Sequence, residues 1–588
     1  MPAELSQAAE QRAGNNQTAA AAEPAVPKPP KLLYEAIELH AARTPDKPAL
    51  ICESTVLSYA QLCAEIRRCV HGLIGLGVRE HDHLCLLTDN SPTAVIMFYA
   101  ASALGLTLIP LEPSIPVEQL KAACAAAGVR HLAARRSFYL GLEEAILKAA
   151  SEATSETAIF STQEQANTPQ IKALDNLDNP KTCSAITEKE QQCREFLGLE
   201  GSLLCLDAYI FGITSYLSFA KLSALRYTPK QVSTEDLYLL ILTSGSTGTP
   251  KPIMLTQQHK IERARRHLEL YGLNEQDVIL AATPLYHSLA ERLIFMPHLC
   301  GGSAVLLPRF TPERFSAAVA AHQVTFCIAV SAQLKQLIPQ LKEQPEAFSS
   351  LRVLVSSSAR LEPQARDELL AALKAEFHEM YGTSETSTLT DLKIDRSDDD
   401  HRCVGAPLPD VSLRILSAEG EILPPGEVGE ITGRTPLLCG GYFKRGTQFE
   451  ESLSAGYFRT GDLGFVDAQG LLYFTGRRKD IIIVGGINVY PADLENCLLK
   501  LPGVAQCAAF ALEDERLGEI PAVAVVRAEG AAGAELGVRE IMLHCARGLS
   551  DYQQPRRIFL VPSLPQSSMH KLMRSALPKW CAEHAQKS

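Results

Sequence analysis

The sequence predicts an α/β protein: a large N-terminal body of mainly parallel, helix-covered sheets with a small β subdomain, then a small α+β domain. Three observations support this. The chain has 588 residues, more than one hydrophobic core usually holds. Helical patterns alternate with short apolar runs from Leu32 to beyond Tyr381. After Asp410, short β runs separated by Gly/Pro turns replace that alternation.

Composition and charge are those of a globular protein. Hydrophobic residues make up 46% of the chain and charged residues 21%, which is enough apolar material for large buried cores. Lys+Arg 56 against Asp+Glu 67 give a net charge of −11, so we expect no nucleic-acid partner. The 16 cysteines are scattered without a CxxC pair, as in proteins of a reducing compartment, and we therefore expect a cytoplasmic location.

The N-terminal residues 1–30 are rich in Ala, Gln and Pro, and they predict a disordered leader rather than a secretory signal. Further along, Ala94 to Leu111 carries no charge. Gly105 and Pro110 divide this stretch into a helix-like half and a strand-like half. A bilayer helix needs ~20 uninterrupted apolar residues, so we predict a buried helix–strand unit and no membrane span.

The remaining elements follow in order along the chain. The segments "YAQLCAEIRRCVHGLIGLG", "HLCLLT" and "LTLIPL" predict a helix and two strands of a parallel sheet. Residues about 150–200 are polar and predict an irregular surface excursion. The runs "SLRILSAEGEILPPGEVGEIT" and "FVDAQGLLYFTGR" predict a small antiparallel barrel or sheet. We assign residues 31–478 to the N-terminal domain and 479–588 to the C-terminal domain.

The stretch "LTSGSTGTPKP", which follows the strand-like "LYLLIL", combines glycines, hydroxyl residues and one lysine. It is not a Walker A loop, because Gly245 and Gly248 are too close together and Lys251 follows a proline. Glycines let the backbone approach a phosphate, and hydroxyl groups can donate to its oxygens. Taken alone, the residues leave two interpretations open: a phosphate-holding loop and a Ser/Gly surface turn.

Five further motifs follow this loop in a fixed order. They are "TPLYHS" (Thr283–Ser288), "YGTSE" (Tyr381–Glu385), "YFRTGDLG" (Tyr457–Gly464), "GRRKDIIIVGGINVYPADLE" (Gly476–Glu495) and "LPQSSMHKLMR" (Leu564–Arg574). Together with the loop they resemble the adenylate-forming superfamily, which includes acyl-CoA synthetases, aryl-CoA ligases, luciferases and peptide-synthetase adenylation domains. The resemblance extends from Leu33 to Leu577.

The resemblance implies a two-step reaction and a mobile C-terminal domain. A carboxylic acid would be activated by ATP to an acyl-adenylate with release of pyrophosphate, and the acyl group would then pass to a pantetheine thiol. The C-terminal domain would act as a lid that rotates about the junction at Lys479. The residues implied to contact ATP or the thiol are Thr243, Ser244, Gly245, Ser246, Thr247, Gly248, Lys251, Ser358, Tyr381, Gly382, Ser384, Asp462, Arg477, Gly485 and Gly486.

Three residues of the resemblance carry the implied catalytic roles. Glu385 would hold Mg²⁺ at the phosphates, a cation that suits carboxylate and phosphate oxygens. Lys571 would bridge the substrate carboxylate and the α-phosphate as a point charge on a long stem. His287 would lie between the ATP and acyl sites.

The ATP contacts divide further. Tyr381 would stack on adenine, and Ser384 would offer its hydroxyl to the α-phosphate. Asp462 would accept both ribose hydroxyls, because a carboxylate can take two hydrogen bonds from a cis-diol, and Arg477 would assist it. Gly485 and Gly486, in "VGGINVYP", resemble the glycine loop that lines the pantetheine tunnel.

The chain departs from the family at two places. His570 stands before Lys571 where the family usually has glycine. The segment "SSSARL" (Ser356–Leu361) stands where the family commonly shows Ser-Gly-Gly/Ala-Ala-Pro-Leu. These departures keep open a non-catalytic acyl- or nucleotide-binding relative as an alternative; a luciferase-like enzyme has no positive sign in the sequence.

The chain lacks the acidic residue that would bind an amino-acid substrate, and this limits the class of acid that we expect. Amino-acid-activating relatives carry a Phe-Asp pair that binds the substrate ammonium, and this chain has Tyr286 and His287 instead. We predict Glu291, the nearby acid, on a helix surface. We therefore expect a fatty or an aryl acid, and the sequence does not distinguish between these two classes. Coenzyme A is the expected acceptor, with the arm of a separate acyl or peptidyl carrier protein as the alternative.

Overall fold

The computed structural model describes residues 30–155, 180–210, 213–227, 232–243, 251–359, 361–394, 400–566 and 572–585. Several sequence predictions lie outside these described residues: almost all of the leader, the middle of the polar excursion, the loop residues Ser244, Gly245, Ser246, Thr247 and Gly248, and the C-terminal His570 and Lys571.

The strands of the described residues are numbered in chain order. They are β1 Pro48–Cys52, β2 Thr55–Ser58, β3 His83–Leu87, β4 Thr107–Leu111, β5 His131–Ala134, β6 Leu203–Cys205, β7 Thr214–Ser215, β8 Leu237–Thr243, β9 Lys251–Thr256, β10 Val278–Ala281, β11 Ser303–Leu306, β12 Phe326–Val330, β13 Val353–Ser357, β14 Glu376–Thr383, β15 Ser387–Lys393, β16 Cys403–Pro407, β17 Ser412–Leu416, β18 Gly429–Arg434, β19 Leu453–Ser454, β20 Tyr457–Val466, β21 Leu472–Arg477, β22 Ile482–Val484, β23 Ile487–Val489, β24 Val504–Asp514, β25 Gly518–Arg527 and β26 Arg557–Leu560.

The α-helices are numbered in the same way. They are α1 Leu33–Arg43, α2 Tyr59–Gly75, α3 Pro92–Leu104, α4 Val117–Ala127, α5 Arg136–Ser155, α6 Pro180–Leu197, α7 Gln257–Leu270, α8 Arg292–Cys300, α9 Pro312–His322, α10 Ser331–Glu343, α11 Pro363–Ala372, α12 Gly446–Glu450, α13 Pro491–Leu498, α14 Ala531–Glu535, α15 Val538–Gly548 and α16 Leu577–His584.

Two large sheets build the N-terminal body. In the described residues, the first has seven strands in the order β7-β6-β5-β3-β4-β8-β9, and all its pairs are parallel except β8 with β9. The second follows the path β17-β18-β20-β21-β16-β15-β14-β13-β12-β10-β11-β1-β2. Strands β11, β10, β12, β13 and β14, which are consecutive along this path, pair in parallel. The strands from β14 to the β17 end of the path pair antiparallel. The predicted parallel body and antiparallel subdomain are thus confirmed.

A third, five-stranded sheet follows the body. Strands β22 to β26 form it in the described residues, with helices α13 and α15 packed through Leu494, Leu498 and Ile541 into its core. A short 3-10 helix at Arg478–Asp480 connects β21 of the body to β22. This is the small α+β unit that the sequence predicts after Asp480.

The charge-free stretch from Ala94 folds as a buried helix followed by a buried strand, as predicted. Ser91 caps α3, because its Oγ accepts a hydrogen bond from the main-chain N–H of Ala94, and Pro92 occupies the first turn. Gly105 ends the helix in the left-handed conformation, with φ 71°. Strand β4 begins two residues later and is buried along its whole length. No helix in the described ranges is long and apolar enough to cross a membrane.

The prediction of an irregular excursion at about 150–200 is wrong over much of its length. Helix α5 continues to Ser155, and α6 occupies Pro180–Leu197. Cys193 and Leu197, one helical turn apart, are buried in the core of the first sheet. The surrounding Glu, Gln and Lys residues are good helix formers. Their polarity obscured the buried positions of this helix, among them Cys193 and Leu197.

Candidate active site

Three of the predicted site motifs lie at one edge of the second sheet. Parallel strands β10, β13 and β14 end at Ala281, Ser357 and Thr383. The first motif segment begins just beyond its strand, and the other two begin in the last residues of theirs. Ligands of open α/β sheets bind beyond the carboxyl ends of the strands. The topology therefore brings "PLYHS", "SSSARL" and "YGTSE" to the same edge.

The strands on either side of the predicted phosphate loop are antiparallel. Thr243, the last residue of β8, pairs with Lys251, the first residue of β9. A Walker A loop instead leads from a strand into a helix. The pairing of β8 with β9 therefore agrees with the rejection of a Walker A loop from the sequence. The ammonium group of Lys251 lies 5.2 Å from the ring centroid of Tyr442.

Glu385 lies at the tip of the hairpin that joins β14 to β15. Thr383 pairs with Ser387 across this turn. The main-chain N–H of Thr383 donates to Oγ1 of Thr386 at 3.1 Å, and the N–H of Thr386 donates back to Oγ1 of Thr383 at 3.2 Å. A Cβ atom at Gly382 would overlap the carbonyl group of Ser387, so a glycine is needed there. The turn is held by reciprocal bonds that fix the main chain around Glu385.

Three residues from two other parts of the chain bind Glu385. Its carbonyl oxygen accepts hydrogen bonds from Nη2 of Arg263 at 2.7 Å and from the N–H of Cys439 at 2.8 Å. Its side-chain Oε1 accepts from the hydroxyl of Tyr442 at 3.0 Å. The carboxylate is half-buried, so it is held in place while it keeps access to solvent.

The surroundings of Glu385 fit Mg²⁺. Within the described ranges, no group of three or more His, Cys, Asp and Glu side chains could hold a metal ion. Mg²⁺ is usually bound by one or two carboxylates together with substrate phosphates, not by a cage of protein ligands. A single carboxylate held in place at Glu385 fits this kind of site.

Ser288 connects the "PLYHS" segment to the Glu385 hairpin. Its Oγ lies 3.2 Å from the Oγ of Ser384. His287 precedes it, half-buried, with its ring centroid 4.5 Å from that of Tyr286. The contact between Ser288 and Ser384 thus joins the two motif segments, which are almost 100 residues apart in the chain. The role of His287 stays a prediction.

Tyr381, Asp462 and Arg477 form a connected group. The hydroxyl of Tyr381 donates to Oδ2 of Asp462 at 2.9 Å, and Nε of Arg477 lies 3.3 Å from Oδ1. Asp462 and Arg477 are register partners on β20 and β21. Tyr381 is also buried, with its ring centroid 6.0 Å from that of Phe474. Asp462 and Arg477 of the antiparallel strands thus lie next to Tyr381, near the end of β14.

Burial raises the pKa of the Asp462 carboxyl, and the nearby carboxylate of Glu385 adds to this effect. The Arg477 guanidinium and the Tyr381 hydroxyl oppose it. Burial also raises the pKa of Tyr381 well above its usual value.

The prediction that Glu291 lies on a helix surface is wrong. Glu291 is fully buried, and its Oε1 lies 3.2 Å from Nζ of Lys260, which is also fully buried. Burial lowers the pKa of Lys260 to about 8, and the Glu291 carboxylate opposes this effect. Nζ of Lys260 also donates to the carbonyl oxygen of Ser288 at 3.4 Å. The carboxylate of Glu291 therefore already has a cation.

Sequence reasoning missed Arg263. This arginine is 1% exposed on α7, and burial lowers its pKa to about 10. Lys260, Arg263 and His267 recur at helical spacing and form much of the buried face of α7. Basic residues on a surface helix normally face solvent. The helical spacing of these three residues was the available sign that they share one face of α7.

Gly485 and Gly486 lie in the C-terminal sheet. They form the two-residue turn between β22 and β23, with φ 56° and 86°, which are values that only glycine adopts readily in such a turn. The N–H of Gly485 donates to the carbonyl oxygen of Leu517 at 2.9 Å. Their predicted role at the thiol remains a prediction.

Comparisons with known proteins agree with this arrangement. The family model for AMP-binding enzymes matches residues 37–443, and that for the C-terminal domain of AMP-binding enzymes matches residues 493–571. The indoleacetate–CoA ligase of Aromatoleum aromaticum is 28% identical over 547 residues, covering 92% of this chain and 96% of its own length. A feruloyl-CoA synthase of an Amycolatopsis species is 28% identical over 539 residues, covering 91% and 96%.

A solved structure shares the fold. The o-succinylbenzoate CoA synthetase of Bacillus subtilis, in complex with its acyl-adenylate intermediate, has a TM-score of 0.74 at 24% identity, covering 94% of this chain and 98% of its own. With well over half of its length matched by the family model, at the segments that surround Glu385 and Lys251, the protein belongs to the AMP-binding enzyme family.

Proposed function

We propose that the protein is an aryl-CoA ligase, which converts an aryl carboxylic acid to an acyl-adenylate with ATP and then transfers the acyl group to coenzyme A. Membership of the AMP-binding enzyme family supports the adenylation step. The two relatives described above are named as CoA ligases of indoleacetate and of a feruloyl group, both of which contain an aromatic ring. These names favour an aryl acid over the fatty acid that the sequence alone left open.

The observation that carries the proposal is the position of Asp462. This buried carboxylate lies at the carboxyl end of the parallel strands, between Tyr381 and Arg477. Each carboxylate oxygen has two lone pairs, so each can accept one protein donor and one ribose hydroxyl. Tyr381 lies on the hairpin that carries Glu385, so a cis-diol held in this way would bring ATP to the motif that contains Ser384 and Glu385.

In the first step, an oxygen of the acid attacks the α-phosphorus, and the bond to the bridging oxygen of pyrophosphate breaks. Both reactants are anions, so positive charge and hydrogen-bond donors must offset the charge that accumulates. Glu385 would hold Mg²⁺, which neutralises phosphate charge when bound. The Ser384 hydroxyl and the Lys251 ammonium would donate to phosphate oxygens, and Lys571 is predicted to bridge the two reactants.

In the second step, the thiol sulfur attacks the acyl carbonyl carbon, and the bond to the phosphate oxygen of AMP breaks. The turn at Gly485 and Gly486 is the predicted wall of the pantetheine path, since backbone without side chains allows close approach. A carrier-protein arm presents the same thiol as coenzyme A and remains the alternative acceptor.

Free amino acids are poor candidates for the substrate. Tyr286 and His287 offer no carboxylate to a substrate ammonium. Glu291, the nearby acid, is fully buried against Lys260. Burying an ammonium without a counter-charge is costly, so the geometry favours acids without an amino group.

ATP–pyrophosphate exchange against matched panels of aryl, fatty and amino acids tests the proposal. We expect exchange with aryl acids and coenzyme A-dependent release of AMP; a phosphopantetheinylated carrier protein offered in place of coenzyme A tests the alternative acceptor. Exchange with a free amino acid would overturn the acid class. Absence of exchange with every acid would favour the non-catalytic relative.

The free cysteines of the described residues support a cytoplasmic location, which fractionation of the expressing cells would test.

A further inference from the structure

We propose that Arg263 and Tyr442 are the positioning residues of Glu385: Arg263 fixes its main chain, and Tyr442 orients its carboxylate. The inference rests on the proposed function, because it requires Glu385 to hold the metal ion. Neither residue carries a role from the motifs of the sequence.

Arg263 binds the hairpin and a second segment with one guanidinium group. Its Nη1 donates to the carbonyl oxygen of Ser384 at 2.9 Å, and its Nη2 donates to that of Glu385 at 2.7 Å. The carbonyl oxygen of Leu437 accepts from Nη2 at 2.7 Å and from Nε at 3.2 Å. A planar guanidinium presents its donors in a fixed geometry, so three carbonyl oxygens are held at defined positions relative to α7.

Tyr442 holds the side chain of Glu385. Its hydroxyl donates to Oε1 at 3.0 Å. The tyrosine is only 3% exposed, and its ring packs edge-on against Phe449 at 5.2 Å between centroids. A packed ring keeps its hydroxyl at one place. A hydrogen bond from behind a ligating carboxylate fixes the orientation of that ligand.

These contacts close a circuit that includes strand β9. The segment 437–443, which we call the brace, accepts a hydrogen bond from β9 and donates two to it: Met254 N–H to Gly441 O, Gly440 N–H to Met254 O, and Phe443 N–H to Pro252 O. Strand β9 continues at Thr256 into α7, which carries Arg263. Arg263 and the brace both bind the carbonyl of Glu385. Lys251 and Glu385 therefore share one hydrogen-bonded frame.

The sharpest test is Tyr442→Phe, which keeps the ring and removes the hydroxyl. Mn²⁺ replaces Mg²⁺ as a spin probe, and electron paramagnetic resonance measures its dissociation constant in the presence of a non-hydrolysable ATP analogue. We expect Mn²⁺ binding to weaken roughly tenfold, the lower end of the range for residues behind metal ligands. The concentration of Mg²⁺ for half-maximal exchange should rise in parallel, with a smaller change in kcat at saturating Mg²⁺.

Tyr271→Phe is the matched control for this variant. Tyr271 is also buried, and its hydroxyl also donates to a carboxylate, Oδ1 of Asp391, at 2.9 Å. It lies outside the circuit. We expect its variant to bind Mn²⁺ as the wild-type protein does, even where its Tm falls as far as that of Tyr442→Phe.

Arg263→Lys separates charge from geometry, because a single ammonium cannot bind three carbonyl oxygens in a fixed fork. We expect weakened Mn²⁺ binding in Arg263→Lys and Arg263→Gln. Arg265→Gln, on the same helix and paired with Glu262, is the control without this effect. Wild-type Mn²⁺ binding in Arg263→Lys would overturn the role of the guanidinium geometry. Where the Arg263 variants do not fold, Tyr442→Phe decides the proposal.

Glu385→Gln distinguishes failure of the proposed metal site from failure of the positioning roles of Arg263 and Tyr442. Unchanged Mn²⁺ binding in Glu385→Gln would contradict the metal site of the proposed function itself. Loss of binding in Glu385→Gln with wild-type binding in both Tyr442→Phe and Arg263→Lys would overturn only the positioning roles.

Discussion

Asp462 is a carboxylate on which burial and neighbouring donors act in opposite directions. Burial raises its pKa, and Arg477 and Tyr381 draw it down. The raised pKa means that Asp462 takes up a proton at a higher pH than a free aspartic acid. Its predicted ribose contact needs the ionised form, which has the greater capacity to accept hydrogen bonds.

The apparent KM for ATP should therefore rise as the pH falls from neutral through the raised pKa of Asp462. In Arg477→Gln the charge that lowers this pKa is lost, so the rise in KM should begin at a higher pH. Steady-state exchange kinetics across pH measure both profiles. Arg478→Gln, which removes a neighbouring cation paired with Glu430, should keep the wild-type profile; an identical shift in both variants would contradict the role of Asp462.

Ser358 has a backbone conformation that is unfavourable for a residue with a side chain. Its φ is 80°, in the left-handed region that is unfavourable by about 1–2 kcal/mol for residues other than glycine. This is a position at which the resemblance leads us to expect glycine or alanine. Glycine removes the strain but adds entropy to the unfolded chain.

We expect Ser358→Gly to raise the free energy of unfolding by up to ~1 kcal/mol, because relief of strain exceeds the entropy loss. Urea denaturation measures it. Ser357→Gly is the control: Ser357 lies in β13 without a positive φ, so its replacement should lower stability. A loss of stability in Ser358→Gly would show that the serine side chain stabilises the turn.

Helix α7 is an element whose buried face is charged. Lys260 and Arg263 both lie in the interior, and each donates to carbonyl oxygens of a motif segment. A helix is usually amphipathic with its polar side outside. Here the polar side is needed inside, because the segments it supports end in carbonyl groups that require donors.

Lys260→Met should destabilise the protein by about 3–5 kcal/mol, since it leaves the buried Glu291 carboxylate without its cation. The double variant Lys260→Met/Glu291→Leu should recover most of this loss, because an apolar pair can replace a buried ion pair at little cost. Chemical denaturation of the two single variants and the double variant forms the cycle. A double variant as unstable as Lys260→Met would contradict the pairing.

The whole molecule consists of a body and a smaller α+β unit joined by the 3-10 helix Arg478–Asp480. On one side of this junction, Arg478 pairs with Glu430 at 3.3 Å. On the other side, Asp480 lies 3.5 Å from Arg574, which also pairs with Glu495 at 2.6 Å. Hinges are a few residues that absorb a large change in backbone angles, and Lys479 stands between these two anchored neighbours.

Lys479→Pro and Lys571→Ala should impair opposite half-reactions. Proline fixes φ near about −65°, a value typical of a 3-10 helix, so it should keep the junction in its present conformation. That variant should form acyl-AMP and transfer it poorly to the thiol. Lys571→Ala should fail to form acyl-AMP yet convert supplied acyl-AMP to the thioester. Stopped-flow measurement of each half-reaction tests the pair, and loss of the same half by both would refute a rotating domain.

The sequence by itself determined the features that depend on local pattern. The helix–strand unit around Gly105, the antiparallel strands after Asp410 and the rejection of a Walker A loop all follow from residue spacing and turn chemistry, and the structure confirms them. The order of the motifs was enough to identify the family.

Only the tertiary structure decided which polar residues lie inside and what they bind. Glu291 has a local pattern typical of a surface helix, yet Lys260 covers it. Arg263 finds its acceptors 121 to 174 positions away in the chain, and the carboxylate of Glu385 is held by Tyr442 of the brace, 57 positions away. The free energy of a buried charge depends on the partners that the fold brings to it. No local periodicity records those partners, because they are contributed by segments distant in sequence.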